Sequence, residues 1–414
     1  MKLRRVLAIC LALALYAQAV LASDSPGQPN WVGSWATAEQ IPEPANSLAP
    51  GDLRDATLRQ VVHLSLGGGL LRVRLSNAFG TSPLHFTSVH IARPATPASS
   101  RIDASTDRAL DFSGSPSVTI PAGAEYISDP LEFAAAAQSD LAITFHVDQA
   151  PQVETSHPGS RATSFLVHGD RVADADLPGA IKFDHWFYIA GVDVSAPPGA
   201  AAIVTLGDSI TDGHGSTTNG NDRWPDDLAR ELDAAKAARH LGVLNLGIGG
   251  NRLLLDGLGP NALARFDRDV LAQPGVRYLI VLEGINDIGV FGLQGSLAQG
   301  EHDALVRSMI GAYGQIVRRA HAHGIRVFGG TLTPFIGSGY YKPGPMSEAD
   351  RVAVNQWIRA AGHFDAVIDF DRALRDPRRP ETLLSAYDSG DHLHPSPAGY
   401  NAMARAVRLA DFGP

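Results

Sequence analysis

From Ala200 onward the chain alternates between short apolar runs that stop at glycine or a polar residue and longer stretches of helical pattern. The runs occupy 203–206, 243–246, 278–282, 327–328 and 367–370, and the helical stretches lie near 226–239, 304–323, 350–361 and 398–409. Runs of this kind suit parallel strands buried on both faces by crossover helices. The alternation therefore predicts an α/β region with a doubly wound parallel sheet, with ligands expected at the carboxyl ends of its strands. Ser396-Pro397 reads as an N-cap followed by proline at the first helical position, and Ser347 with Asp350 as a capping box.

Upstream, between residues 31 and 194, short β-type segments at 61–66, 70–75, 88–92, 117–120, 141–147 and 185–194 are separated by turn signals, with no helical pattern among them. Gly67-Gly68-Gly69 joins the first two as a loop of hairpin length. Arg72 and Arg74 alternate with Leu71, Val73 and Leu75, so one face of that strand should be wet and the other buried. The spacing predicts an all-β sandwich or jelly-roll domain. The texture changes at Ala196-Pro197-Pro198-Gly199, which divides the chain into a β domain over 23–195, a linker over 196–199 and an α/β domain over 200–414.

Residues 1–22 read differently from both. Lys2, Arg4 and Arg5 precede an apolar stretch too short to span a bilayer comfortably, and Val20-Leu21-Ala22 closes it with a small-residue cleavage pattern. This is a predicted signal peptide, which implies a secreted or periplasmic protein without a stable membrane anchor. The one cysteine of the 414 residues, Cys10, falls inside it. A mature chain from Ser23 then offers no thiol nucleophile, no cysteine-ligated metal and no disulfide framework. Losing the three cations takes the formal charge from −9 to −12, and no basic stripe offers a nucleic-acid footprint, so neutral small molecules or polymers remain as partners.

Three groups of residues could carry chemistry. Gly207-Asp208-Ser209-Ile210-Thr211-Asp212-Gly213 directly follows the first strand of the α/β region. A serine there can present its hydroxyl and its own N–H to a substrate, although the same residue types also make an ordinary turn with a helix N-cap. In Asp391-His392-Leu393-His394-Pro395, a carboxylate three residues before an imidazole can hold Nδ1–H and leave Nε2 as a base, with a solvated loop before a helix as the plain alternative. Ser209 follows the first strand and His394 the last, so both can reach one sheet edge. Gly247 to Arg252 and Glu283 to Asp287 follow neighbouring strands and could add a glycine N–H and an asparagine amide to the Ser209 N–H around a developing oxyanion. His321 and His323 diverge on a helix, which speaks against a metal site. Gly257-Leu258-Gly259-Pro260-Asn261-Ala262 fits a relaxed dinucleotide fingerprint, but no strand leads into it.

Taken together and in this order, Gly207-Asp208-Ser209, the block ending Gly249-Gly250, Gly284-Ile285-Asn286-Asp287 and Asp391-His392-Leu393-His394 resemble the four signature blocks of the SGNH, or GDSL, hydrolase family, over residues 200–414. The resemblance implies Ser209 as nucleophile, His394 as general base and then acid, and Asp391 as the residue that orients it. Ser209, Gly250 and Asn286 would form the oxyanion hole; Gly250 is preferred to Gly249 because it follows Asn245 by five residues, as in the family pattern. Asp208 and Asp287 would bond loop amides. His214 and Phe335 are the substrate-binding candidates, and no metal or organic cofactor is implied.

Residues 59–80 and the block Thr331-Leu332-Thr333-Pro334-Phe335 resemble the acetylxylan-esterase-like or arylesterase-like branch, which carries an N-terminal β domain. The implied function is a secreted serine esterase that removes short acyl groups from carbohydrate or aryl alcohols, so the partner would be a small-molecule or polysaccharide ester. A lipase or lysophospholipase of longer acyl chains, with 288–293 as an apolar lid, is the enzymatic alternative. A non-catalytic glycan-binding protein on a hydrolase scaffold is the third; the β domain could itself bind glycan through Trp31, Trp35 or Trp186, although tryptophans in a sandwich are more often core residues.

Overall fold

The computed structural model describes residues 29–235, 238–295 and 297–413; the expected signal peptide lies outside them. Five parallel strands form one sheet in the order Leu241–Gly247, Ala201–Gly207, Val276–Leu282, Arg326–Gly330 and Ala366–Ile368. The chain enters at Ala201–Gly207, steps to one side and then returns to the other. The strand order thus reverses at Gly207, which opens a crevice at that strand's carboxyl end.

The helices that accompany this sheet follow their apolar spacing. In Gln299–Ala322 the buried residues Met309, Ala312, Tyr313, Ile316, Val317 and Ala320 recur every three or four positions, which makes one core-facing stripe. Ser396 caps Pro397–Ala406, its hydroxyl accepting from Gly399 N at 3.3 Å. The capping box expected at Ser347 does not form. Pro345–Arg359 starts three residues earlier, with Gly344 as its N-cap, because proline suits the first helical turn.

The preceding β-rich region holds two large antiparallel sheets and a two-stranded one that pairs Ser156–His157 with Trp186–Phe187. Trp31–Ala36, Ile189–Ser195 and Gly68–Ser76 form the first, with Glu125–Ile127 and Leu131–Ala135 on Gly68–Ser76. The second follows the order Ile181–Phe183, Ser164–His168, Ala56–Leu64, Ser139–Val147 and Leu84–Ala92, and the last strand also pairs Arg108–Ala109 and Val118–Ile120. Leu71, Val73 and Leu75 from the first sheet share a core with Leu58, Val62, Phe86, Ile143 and Phe145 from the second.

Two expectations fail here for physical reasons. Ala56–Leu64 and Gly68–Ser76 belong to different sheets, so the triglycine is a crossover and not a hairpin turn. An added Cβ would stand 2.7 Å from Ala135 O at Gly67 and 2.5 Å from Ser195 O at Gly68, so glycine serves close backbone approach. The polar face of Gly68–Ser76 is also not simply wet. Arg74 is buried, donates to Gln273 Oε1 at 2.7 Å and lies 3.4 Å from Asp193, while Arg72 pairs with Asp193 at 2.9 Å and covers the Trp31 ring. That face therefore packs on the α/β region. Ser65 Oγ accepts from Val243 N at 2.9 Å and Gly33 N donates to Pro274 O at 3.0 Å across the same boundary, and from Trp31 onward the chain is one compact unit. Trp35 and Trp186 are core residues, packed edge to face at 4.9 Å. Among the described residues no helix is long and apolar enough to cross a membrane.

Candidate active site

The Ala201–Gly207 strand runs into the one-turn helix Ser209–Asp212. Asp208 Oδ1 caps it by accepting from Ile210 N at 2.9 Å, and the turn ends on Gly213 with φ +103°. This places Ser209 at the strand end. Its Oγ is 2.8 Å from His394 Nε2, and His394 Nδ1 is 2.6 Å from Asp391 Oδ2. Asp391 Oδ1 accepts from Leu393 N at 3.0 Å and His394 N at 2.8 Å, so the carboxylate is held by its own loop while it orients the ring. Burial pushes the Asp391 carboxyl up, but the bonds from His394 and Leu393 and the imidazole charge outweigh it and hold it well below the usual carboxylate range.

Gly250 and Asn286 reach the same pocket from the ends of the two flanking strands. Gly250 has φ +71°, a left-handed conformation that explains the glycine. The Asn286 amide is fixed on both sides: Oδ1 accepts from Tyr341 OH at 2.6 Å, and Nδ2 donates to Asn251 O at 2.7 Å. An amide nitrogen has two hydrogens, so one remains for the pocket. Asp287 receives Leu253 N at 2.7 Å and Leu254 N at 3.0 Å, which makes it an anchor for the loop after the second strand.

Beneath these residues lies a group that the sequence reading missed. The fully buried Arg265 donates to Gly207 O at 2.9 Å, Leu246 O at 2.6 Å, Asn251 Oδ1 at 3.0 Å and Asp269 Oδ2 at 2.9 Å, and so ties together two of the strand ends that carry the site. Burial pushes Asp208 up to about 7, and burial together with Asp208 pushes the neighbouring Glu283 well above its usual range.

The pocket over Ser209 and His394 measures about 400 Å³. His214 lines it, with its ring centroid 4.1 Å from that of His394. Phe335 does not reach it. That ring is fully buried in the α/β core, an apolar residue drawn under the sheet end instead of toward solvent. The β-rich region supplies much of the opposite wall through Gln40, Glu43, Asn46, His157, Arg161 and Asp184. His157 lies in the two-residue strand Ser156–His157, Gln40 in a bridge to Ser156 and the others in irregular segments, so no periodic pattern marked them.

A serine hydroxyl, an imidazole and a carboxylate in one hydrogen-bonded chain can remove the hydroxyl proton as the oxygen attacks an electrophilic carbon. His214, Asp391 and His394 also bring ligand-type atoms within 4.8 Å of one another, but Asp391 and His394 already bond within the chain just described, and His214 Nδ1 is 2.8 Å from Arg161 Nη2.

Residues 205–402 match the model of the GDSL-like lipase/acylhydrolase family. Among curated proteins none matches the chain. Among solved structures, the chain is similar to a GDSL-like lipase from Bacteroides thetaiotaomicron (18% identity, 51% of this chain and 88% of the other, TM-score 0.38). It is similar also to an acetylxylan esterase from Geobacillus stearothermophilus (22% identity, 51% and 94% covered, TM-score 0.37).

Proposed function

Because residues 205–402 form a domain of the GDSL-like lipase/acylhydrolase family, which makes the chain a carboxylic ester hydrolase, we propose that Ser209, His394 and Asp391 carry out two-step acyl transfer on short-chain esters of polar alcohols. The continuous Ser209–His394–Asp391 hydrogen-bonded chain at the floor of the pocket carries this reading. Ser209 Oγ attacks the ester carbonyl while His394 Nε2 takes its proton. The tetrahedral oxyanion is received by Ser209 N, Gly250 N and the free hydrogen of Asn286 Nδ2. The alcohol leaves with the proton from His394, and water, deprotonated by the same nitrogen, releases the acid from the acyl-enzyme. Asp391 stabilises the imidazolium formed in both steps.

The wall of Gln40, Glu43, Asn46 and Asp184 supports a hydroxyl-rich alcohol part such as a sugar: Gln40 Nε2 and Asn46 Nδ2 each donate to Glu43 at 2.7 Å, and the donor and acceptor capacity left on these amides and carboxylates suits hydroxyls. Leu258, 43% exposed at the pocket, favours the second reading, a lipase or lysophospholipase of longer acyl chains. The expected lid does not help that reading: Ile288 is fully packed within Ile285–Gly292 and only the end of the segment is open. We read the β-rich region, residues 23–195, as a sandwich domain and the region from 200 as doubly wound, joined by 196–199, with residues 1–22 as the signal for a secreted or periplasmic location.

Purified wild-type protein and Ser209→Ala, assayed on p-nitrophenyl esters from acetate to decanoate, test the proposal. The expected result is a rate maximum at acetate that is lost in the variant. A variant as active as the wild type would overturn the mechanism, and a maximum at decanoate would favour the lipase reading.

A further inference from the structure

The segment Ser156-His157-Pro158-Gly159-Ser160-Arg161 of the β-rich region lies directly on the Ser209 segment. His157 Nε2 is 2.9 Å from Asp212 Oδ1, and its Nδ1 is 2.7 Å from Ala38 O. A Cβ at Gly159 would overlap the Asp212 carboxylate, so only glycine lets the segment lie this close. Arg161 then takes a left-handed backbone, φ +48°, with its carbonyl accepting from Asn219 N at 2.8 Å, and Arg223 bonds the preceding Ser160 carbonyl. The result is that Arg161 Nη2 stands 2.8 Å from His214 Nδ1.

A guanidinium has donors only. His214 Nδ1 must therefore be the acceptor, which leaves that ring neutral with its proton on Nε2. This Nε2 lies 3.9 Å from Asp391 Oδ2, the same oxygen that holds His394 Nδ1. The titratable and charged groups facing His214 are His394 and Asp391 from the last loop, Arg161 from the β-rich region, Asp212 from its own segment and Tyr340 edge-on at 6.5 Å. Tyr400 OH fixes its backbone by donating to the His214 carbonyl at 2.6 Å. A protonated His214 would compete for Asp391 and repel the imidazolium that His394 must become.

We propose that Arg161 is a positioning residue for the acid–base pair: by donating to His214 Nδ1 it keeps that imidazole neutral, with its N–H on the side of Asp391, so a side chain from the β-rich region sets the electrostatics of His394. This rests on the triad reading given above. Burial, with His394 and Arg161 behind it, pushes His214 down to about 4, in the direction the geometry requires.

Two measurements on the full chain test it. Imidazole 15N NMR between about pH 5 and 8, with the His214 signals identified by their loss in His214→Gln, should show a neutral ring protonated on Nε2; an imidazolium or an Nδ1–H ring overturns the proposal. In p-nitrophenyl acetate hydrolysis, Arg161→Met should lower kcat about tenfold at unchanged KM, the rate equivalent of one charge-assisted hydrogen bond, and move the acid limb of the kcat profile to higher pH. Arg161→Lys, which still donates, should recover part of the loss, and in a His214→Gln background Arg161→Met should have no further effect. A raised KM at unchanged kcat would instead make Arg161 a substrate contact and overturn the positioning role. An active Ser209→Ala would defeat the triad reading itself, whereas an inactive Ser209→Ala beside a wild-type-like Arg161→Met defeats only this inference.

Discussion

Asp391→Asn separates the orienting role of the carboxylate from its role as a loop anchor. In the native site one oxygen accepts Leu393 N and His394 N at 3.0 and 2.8 Å, and the other accepts His394 Nδ1–H at 2.6 Å. An asparagine keeps its oxygen where two N–H groups demand an acceptor. Its NH2 is then forced opposite His394 Nδ1, and two donors cannot face each other. The imidazole responds by moving its proton to Nε2, where it meets Ser209 Oγ and the base is lost.

The magnitude follows from what is removed. A charge-assisted hydrogen bond contributes roughly 1.5–3 kcal/mol. The wrong tautomer adds to this, and the same substitution in a Ser-His-Asp site costs about 10⁴ in kcat, or about 5.5 kcal/mol at 1.36 kcal/mol per tenfold. The assay is steady-state hydrolysis of p-nitrophenyl acetate with thermal unfolding on the same samples. A loss of about 10³ to 10⁴ in kcat is expected with a nearly unchanged unfolding midpoint, because both loop bonds survive. Activity within tenfold of wild type would refute the tautomer argument, and a collapsed midpoint would show that Asp391 acts mainly as an anchor.

Other perturbations reach different parts of the structure. Asn286→Ala removes one oxyanion donor and should lower kcat about 10²- to 10³-fold with little change in KM, as read by initial rates over a substrate series. Phe335→Ala should cost about 3–5 kcal/mol in urea unfolding, since the ring is fully enclosed, and leave KM unchanged. Asp208 has a folded pKa of about 7 because of burial, against about 3.9 in an unfolded chain. The folded state then binds more protons between those values, so stability should fall as pH rises from about 4 to 7. Asp208→Asn retains an acceptor for Ile210 N and should flatten that fall in unfolding midpoints measured across the range; an unaltered slope would show that other groups produce it.

What could be read from the sequence follows from the range of the physics involved. Ser209 stands in a short string at a strand end, and Asp391 and His394 in one loop before the last helix, close enough in sequence to meet within one turn, so the turn chemistry that places them is local. The alternation after Ala200 likewise carries the parallel sheet, because each run is buried by its own flanking helices. Pairing between distant segments is a different matter. Nothing within 61–75 says that its two strands enter different sheets; that is decided by Ser139–Val147 on one side and Ile189–Ser195 on the other.

The same limit explains the charged residues. Arg74 looks solvent-facing by alternation, yet its partners Asp193 and Gln273 lie 119 and 199 positions away. Arg265 sits in a short helix of ordinary appearance and is fully buried because carbonyls from two strands converge on it. Buried cations of this kind are retained only where nearly every donor is matched, and such matching exists only after the sheet has formed. Arg161 is the proposed functional case: nothing in its string His157-Pro158-Gly159-Ser160-Arg161 stands out until Asp212 and His214 are brought beneath it. Residues whose chemistry depends on a neighbour in the same strand or turn are therefore legible from the chain alone, and residues whose partners arrive through the topology are not. The positions where the two regions meet are accordingly where the proposed control of substrate and rate lies, in contacts that no single motif contains.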